Sequence, residues 1–79
     1  MIEERLATVI RFVGDNDNVS ASRAAKQLGL SQSELLRLLA VLGEDRSVGG
    51  LGLIATRDDG PRRLLELTAD GRVWLARRP

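Results

Sequence analysis

Apolar residues return along this chain at helical spacing in three separate stretches, then switch to a strand-like pattern before a final helix. Ile2, Leu6, Val9, Ile10 and Val13 fall on one stripe of a helix predicted over residues 2–13, with Glu3, Glu4, Arg5 and Arg11 outside it. The two glutamates in its first turn complement the positive end of the helix dipole. Phe12 lies off the stripe, either covering the edge of the core or standing exposed as an anchor for a partner. Residues 14–18, GDNDN, are turn formers at every position and end that helix at about Val13. Val19 follows as a single apolar residue. Ser20 or Ser22 then caps a short second helix whose buried stripe is Ala24, Ala25 and Leu28.

Gly29 ends the second helix, where a left-handed turn favours a residue without a Cβ. Leu30 plugs the corner. Ser31 caps a third helix by accepting a bond from a free N–H near Ser33 or Glu34, and Leu35, Leu38, Leu39 and Leu42 return to the same core. Small residues at 24 and 25 let two steeply crossing helices bring their backbones close. Residues 21–40, ASRAAKQLGLSQSELLRLLA, therefore read as a helix-turn-helix, which presents its second helix to a DNA major groove. An ordinary helical hairpin is the alternative.

The pattern then changes. After the Gly-rich, charged loop GEDRSVGG (43–50), LGLIATR (51–57) reads as a strand, DDGP (58–61) as a turn and RRLLELT (62–68) as a second strand, together a hairpin. Thr68 caps a last helix, ADGRVWLARR, in which Val73, Trp74 and either Ala76 or the stem of Arg77 turn inward. Gly71 inside that helix costs about 1 kcal/mol relative to alanine, so a packing or turn reason is expected for it. Three helices, a hairpin and a helix is the order of a winged helix-turn-helix. The expected fold is mainly α with a small β-hairpin (α+β), a three-helix core plus wing and C-terminal helix. It forms one domain over residues 1–79, with the helix-turn-helix at about 20–43 and the wing at about 51–68. Each element is too short to stand alone in water, so all must share one core.

Composition removes several function classes. The 79 residues suit one small domain, and 43% apolar content is too high for a disordered chain. With no cysteine and no histidine, disulfides, thiolate chemistry, the commonest metal ligand and the commonest general base are all absent. Neither a metal nor a cofactor is expected, and the chain does not read as an enzyme. Asp58-Asp59 reads as a solvated turn, and the DNDN segment (15–18) lacks the glycine and bidentate glutamate of a calcium loop. No stretch is long enough to span a membrane and MIEERLATVIRF is unlike a signal peptide, so a cytoplasmic setting is expected. The net charge is only +1, so any DNA contact depends on where the cations sit. The cations are nearly all arginine, with Lys26 the sole lysine. This reads either as a GC-rich genome, favoured because the bias is chain-wide, or as a preference for guanidinium forks on phosphate and guanine.

The second half supports a closer match. Gly52-Leu53-Ile54, Arg57, Asp58-Asp59, Arg62-Arg63, then Leu67-Thr68 followed by Gly71-Arg72, resemble the wing and following helix of the multiple-antibiotic-resistance regulator (MarR) family of winged-helix repressors. With the helix-turn-helix included, the resemblance covers residues 19–75. It implies a wing lying along the phosphate backbone with an arginine near its tip in a minor groove, for which Arg62 and Arg63 are the candidates and Arg57 stands across the turn. The bland reading of these arginines is an exposed hairpin made soluble by ion pairs with Asp58 and Asp59. Family members carry long helices on both sides of this core that build a dimer; here the first helix and a final Ala-Arg-Arg-Pro stand in those places. The GEDRSVGG link is also longer than usual.

On the third helix, the side opposite the leucine stripe carries Gln32, Ser33, Leu36, Arg37 and Ala40. Gln32 suits adenine, Arg37 guanine or phosphate, and Ser31 and Ser33 phosphate or a base edge. Glu34 either contacts cytosine or only caps the helix. Leu36 and Ala40 put apolar surface where polar side chains are normal, which leaves thymine methyls or a protein interface open. The leading expectation is a small transcriptional regulator that binds double-stranded DNA as a homodimer. The helix over 31–43 enters the major groove, Arg23 and Lys26 hold phosphates, and the wing arginines fix orientation. Phe12, Leu36, Ala40 and Trp74 are candidate interface residues. The alternative is a winged helix used for protein–protein contact or dimerisation through helix 31–43, with weak or no DNA binding.

Overall fold

The computed structural model describes residues 4–45, 47 and 49–77. In chain order its elements are α1 (Glu4–Asp15), β1 (Val19–Ser20), α2 (Ala21–Leu28), α3 (Gln32–Leu42), β2 (Ile54–Asp59), β3 (Arg62–Leu67) and α4 (Ala69–Arg77). This is a winged helix-turn-helix: mainly helical, with a small antiparallel sheet. Ile2 and Glu3, placed in the first helix by the sequence pattern, lie outside the described residues, as do Arg46, Val48 and the final Arg-Pro. Among the described residues no helix is long and apolar enough to cross a membrane.

Leu6, Val9, Ile10 and Val13 are buried on α1, as their spacing requires. Phe12 is half-buried and packs against the core, which assigns it the first of its two readings. The helix runs two residues past Val13 because the turn residues first serve as its cap. The Asn16 side-chain amide donates to the Phe12 carbonyl at 2.9 Å and its backbone N–H donates to that of Val13 at 3.2 Å. Two of the orphan carbonyls at the helix end are satisfied in this way.

Val19 is not isolated. It forms β1 with Ser20, and the pair adds a third strand to the sheet in the order β1-β3-β2, with Val19 opposite Leu65 and Ser20 opposite Leu64. Asn18 enters it with φ of 62°, a left-handed conformation that asparagine tolerates. Ser20, not Ser22, caps α2 by accepting the Arg23 N–H at 3.2 Å.

The corner between α2 and α3 closes as the residues suggest. Gly29 sits at φ 69°, its N–H donates to the Lys26 carbonyl at 3.3 Å, and the Leu30 N–H donates to that of Ala25 at 2.9 Å. Those two bonds are the paired closure of a Schellman turn. Ala24 and Ala25 are buried, so the backbone of α2 comes close to the core without a side chain between. The Ser31 hydroxyl accepts the Glu34 N–H at 3.1 Å while the Glu34 carboxylate accepts the Ser31 N–H at 3.1 Å, a complete capping box. Leu35, Leu39 and Leu42 are buried, and Leu38 is half-buried.

The link after α3 folds back on the helix. The N–H groups of Leu51, Leu53 and Gly52 donate to the carbonyls of Val41, Leu42 and Gly43 at 2.8, 2.9 and 2.7 Å. This docking uses residues that the alternation had placed in the strand, so β2 begins at Ile54 and not at Leu51. The hairpin is correspondingly tighter than a four-residue turn. Asp58 and Asp59 pair with Arg63 and Arg62 in the ladder, and only Gly60 (φ 61°) and Pro61 form the loop. Glycine at the first of two loop positions, before a proline whose φ is fixed negative, is the II′ combination.

Thr68 caps α4, its hydroxyl accepting the Gly71 N–H at 3.0 Å and donating to the Gly52 carbonyl at 2.6 Å. Gly71 is buried, and a Cβ there would press directly on the backbone of Leu53. That close approach is the packing reason for a glycine inside a helix. It also rotates α4 relative to expectation: Val73 is 48% exposed, Ala76 and Arg77 are exposed, and Leu75 packs inward beside Trp74.

Candidate nucleic-acid interface

The exposed side of α3 and the tip of the hairpin face one another across an open cleft. Its first half is lined by Ser22, Gln32, Leu36, Asp58, Gly60, Pro61, Arg62 and Arg63. Its second half is lined by Leu36, Ala40, Glu44, Asp45, Thr56 and Arg63 over a floor of Leu39 and Ile54. The capping box and the leucine stripe set this arrangement, because burying Leu35, Leu39 and Leu42 leaves the opposite ridge outward. The two-residue loop holds the wing tip beside that ridge.

The predicted residues divide into three groups. Gln32, Leu36, Ala40, Arg62 and Arg63 line the cleft. Ser33 and Arg37 are exposed on the adjoining outer ridge of α3, and Arg23 and Lys26 on the outward side of α2. Arg23, Lys26 and Arg37 make no side-chain hydrogen bond or salt bridge among the described residues, although Arg37 interacts electrostatically with Glu34 one turn earlier. Phe12 and Trp74 lie elsewhere, half-buried against the core. Ser31 spends its oxygen on the cap of α3.

The wing arginines are partly neutralised. Arg62 lies 3.6 Å from Asp59 and Arg63 lies 3.5 Å from Asp58, both pairs well exposed and directly cross-strand. Pairs so open to water contribute little to stability. Arg57 is separate from them: its guanidinium donates across the sheet to the Asn18 side chain at 3.3 Å. Glu34 is held below the usual glutamate pKa, first by the Ser31 backbone N–H, then by the Ser31 hydroxyl, with the charges of Arg5 and Arg37 adding. Its carboxylate therefore stays ionised as part of the cap.

Sequence reasoning missed Ser22 as part of this cleft. Its hydroxyl accepts the Gln32 side-chain amide at 3.3 Å, tying the start of α3 to α2 and orienting a candidate base reader. Ser22 had been visible as a possible cap; its true neighbour is ten positions away. Thr56 was equally hidden, since its facing depends on the strand register. Among the described residues no group of three or more His, Cys, Asp or Glu side chains is placed to hold a metal ion.

No family model matches the sequence, and no curated protein matches it. Solved structures do match the fold. The PcaV transcriptional regulator of Streptomyces coelicolor, crystallised with its natural ligand, superposes with a TM-score of 0.81 at 22% identity over 96% of this chain and 52% of its own. FabT of Streptococcus pneumoniae in complex with DNA gives 0.80 at 22% identity, covering 95% of this chain and 50% of that one. MarR itself gives 0.79 at 15% identity, covering 95% and 53%. The chain thus spans about half the length of each of these proteins. At these identities the likeness is one of fold, and it agrees with the resemblance carried by the wing motif: the chain has a winged helix-turn-helix fold resembling that of MarR-family transcriptional regulators.

Proposed function

We propose that this chain binds double-stranded DNA as the reading module of a transcriptional regulator. In this reading α3 enters the major groove, where Gln32, Ser33 and Arg37 meet base edges and phosphate. Arg62 and Arg63 run along the backbone on the wing side, and Arg23 and Lys26 hold phosphates from α2. The observation that carries it is the cleft itself: a capped, outward helix ridge with the exposed Arg37, set beside a wing tip bearing two arginines. The fold likeness to a regulator crystallised on DNA supports the same reading.

The charge balance sets its strength. Asp58, Asp59, Glu44 and Asp45 stand close to the cations, so one copy is a weak binder. Two copies on a two-fold site supply the missing contacts, and a homodimer belongs to this proposal. The test is binding to a mixed-sequence duplex over a range of salt. Counterion release predicts a log–log slope of about −0.9 for each phosphate neutralised. A flat response, or no binding up to high micromolar protein, refutes the reading. Sedimentation of the DNA-bound chain tests the two-copy stoichiometry.

A further inference from the structure

The apolar residues on the reading face require their own explanation. Leu36 is 47% exposed, lines both halves of the cleft, and is followed one turn later by the exposed Ala40. Neither contributes to the core cluster. We propose that Leu36 and Ala40 read the 5-methyl group of pyrimidines in the major groove, which in unmodified DNA means thymine. This rests on the DNA-binding reading and adds the chemical feature that the helix selects.

The argument is one of elimination by chemistry. Apart from C–H edges that lie flush with the rings, the groups on the major-groove edges of the bases are hydrogen-bond donors and acceptors, and the thymine methyl is the one apolar group that projects into the groove. An aliphatic side chain pressed on a donor or acceptor strips its water and returns no bond, which is unfavourable. Pressed on a methyl, it buries apolar surface on both sides. The surrounding charge suits a duplex as the occupant: Arg63 borders both halves of the cleft, Arg62 the first, and Arg37 projects from the adjoining ridge. The facing acids are Asp58, already paired with Arg63, and Glu44 and Asp45 at the far end. Spacing also fits. Four helical residues advance about 6 Å, close to two base steps of about 3.4 Å each. Leu36 and Ala40 are thus spaced on the scale of neighbouring base steps, so each meets a different base.

The experiment uses the full chain and DNA that differs by one methyl. Duplexes are selected by the chain from a pool randomised over a short central segment, then resynthesised with deoxyuridine in place of thymidine. Uracil pairs as thymine does and lacks only the 5-methyl. Affinity for the uracil form is expected to fall about fourfold per contacted methyl. In L36S, whose exposed site leaves the core untouched, the thymine preference should shrink by the Leu36 share, about fourfold, and keep only that of Ala40, while L36M keeps the whole preference. A parallel selection from a pool made with 5-methyldeoxycytidine distinguishes the sources. Enrichment of thymine at the uracil-sensitive steps assigns thymine, and enrichment of the modified base assigns methylated cytosine. Equal binding of thymine and uracil forms by the unaltered chain overturns the methyl readout and leaves DNA binding standing. Absence of binding to any duplex overturns both, and loss of self-association in L36S then identifies the ridge as a protein interface.

Discussion

Replacing Gly71 by alanine should destabilise this protein, although local helix preference predicts the reverse. In an exposed helix interior the exchange gains about 1 kcal/mol. Here the new Cβ would lie against the carbonyl oxygen of Leu53, 3.1 Å from its carbon and 3.4 Å from the Leu67 Cβ. The obstacle is backbone, so no rotamer change relieves it. The Leu53 segment is also pinned, its N–H on the Leu42 carbonyl at 2.9 Å and its carbonyl on the Thr68 N–H at 3.0 Å. Moving α4 away weakens that second bond and the Thr68 hydroxyl bond to Gly52. Overpacking costs about 1–3 kcal/mol, and each weakened hydrogen bond about 1 kcal/mol more. After the gain in helix preference, the expected net loss is about 1–4 kcal/mol. In a domain of this size each 1 kcal/mol lowers Tm by roughly 4–8 °C. Thermal and urea unfolding followed by circular dichroism measure it. Gly14→Ala is the control, because its Cβ meets only the side-chain tips of Leu75 (2.7 Å) and Leu67 (3.2 Å). Those tips can rotate, so that variant should stay within about 1 kcal/mol of the parent. A Gly71→Ala protein as stable as the parent, or more so, refutes the close-packing account of α4.

Other outcomes follow from the same contacts. Ser31→Ala removes the acceptor for the Glu34 N–H and should cost about 1 kcal/mol in urea unfolding, with Ser31→Asp restoring most of it. Because the Glu34 pKa is lowered on folding, its contribution is complete above the pKa of an unfolded glutamate and is lost as pH falls through the lower folded value. Urea midpoints of Glu34→Gln, followed from neutral to acid pH, should lack that part of the decline. Asp58→Asn removes the acid 3.5 Å from Arg63, and duplex affinity should rise by at most about fivefold, the scale of an exposed pair. Arg63→Ala should weaken binding and lower the salt slope by about 0.9 for each bound copy; an unchanged slope removes Arg63 from the backbone contacts.

The candidate site was legible to the extent that it is helical. Ser33, Leu36, Arg37 and Ala40 were placed outward by the angle they make with Leu35, Leu39 and Leu42, and they are exposed. The wing arginines were recognisable as a group. Their partition was not: Arg62 and Arg63 stay at the tip with their aspartates, while Arg57 reaches Asn18, 39 positions earlier in the chain. The bond between Gln32 and Ser22 was likewise out of reach, since no periodicity links the two residues.

What the sequence by itself determined were the features closed within about one helical turn: the buried stripes of α1 and α3, the left-handed corner at Gly29, and the caps at Ser31 and Thr68. Each is closed by bonds or spacings of at most five positions, so the local pattern suffices. Tertiary structure alone decided the strand at Val19, which exists only because Leu65 lies opposite it, and the shortening of the wing loop to Gly60 and Pro61. It also decided the return of residues 51–53 onto the carbonyl end of α3, and hence the contact that requires a glycine at 71 and turns Val73 outward. Backbone hydrogen bonds and close approaches between distant segments carry no spacing rule. They are settled by which polar groups remain to be satisfied once the helices have packed.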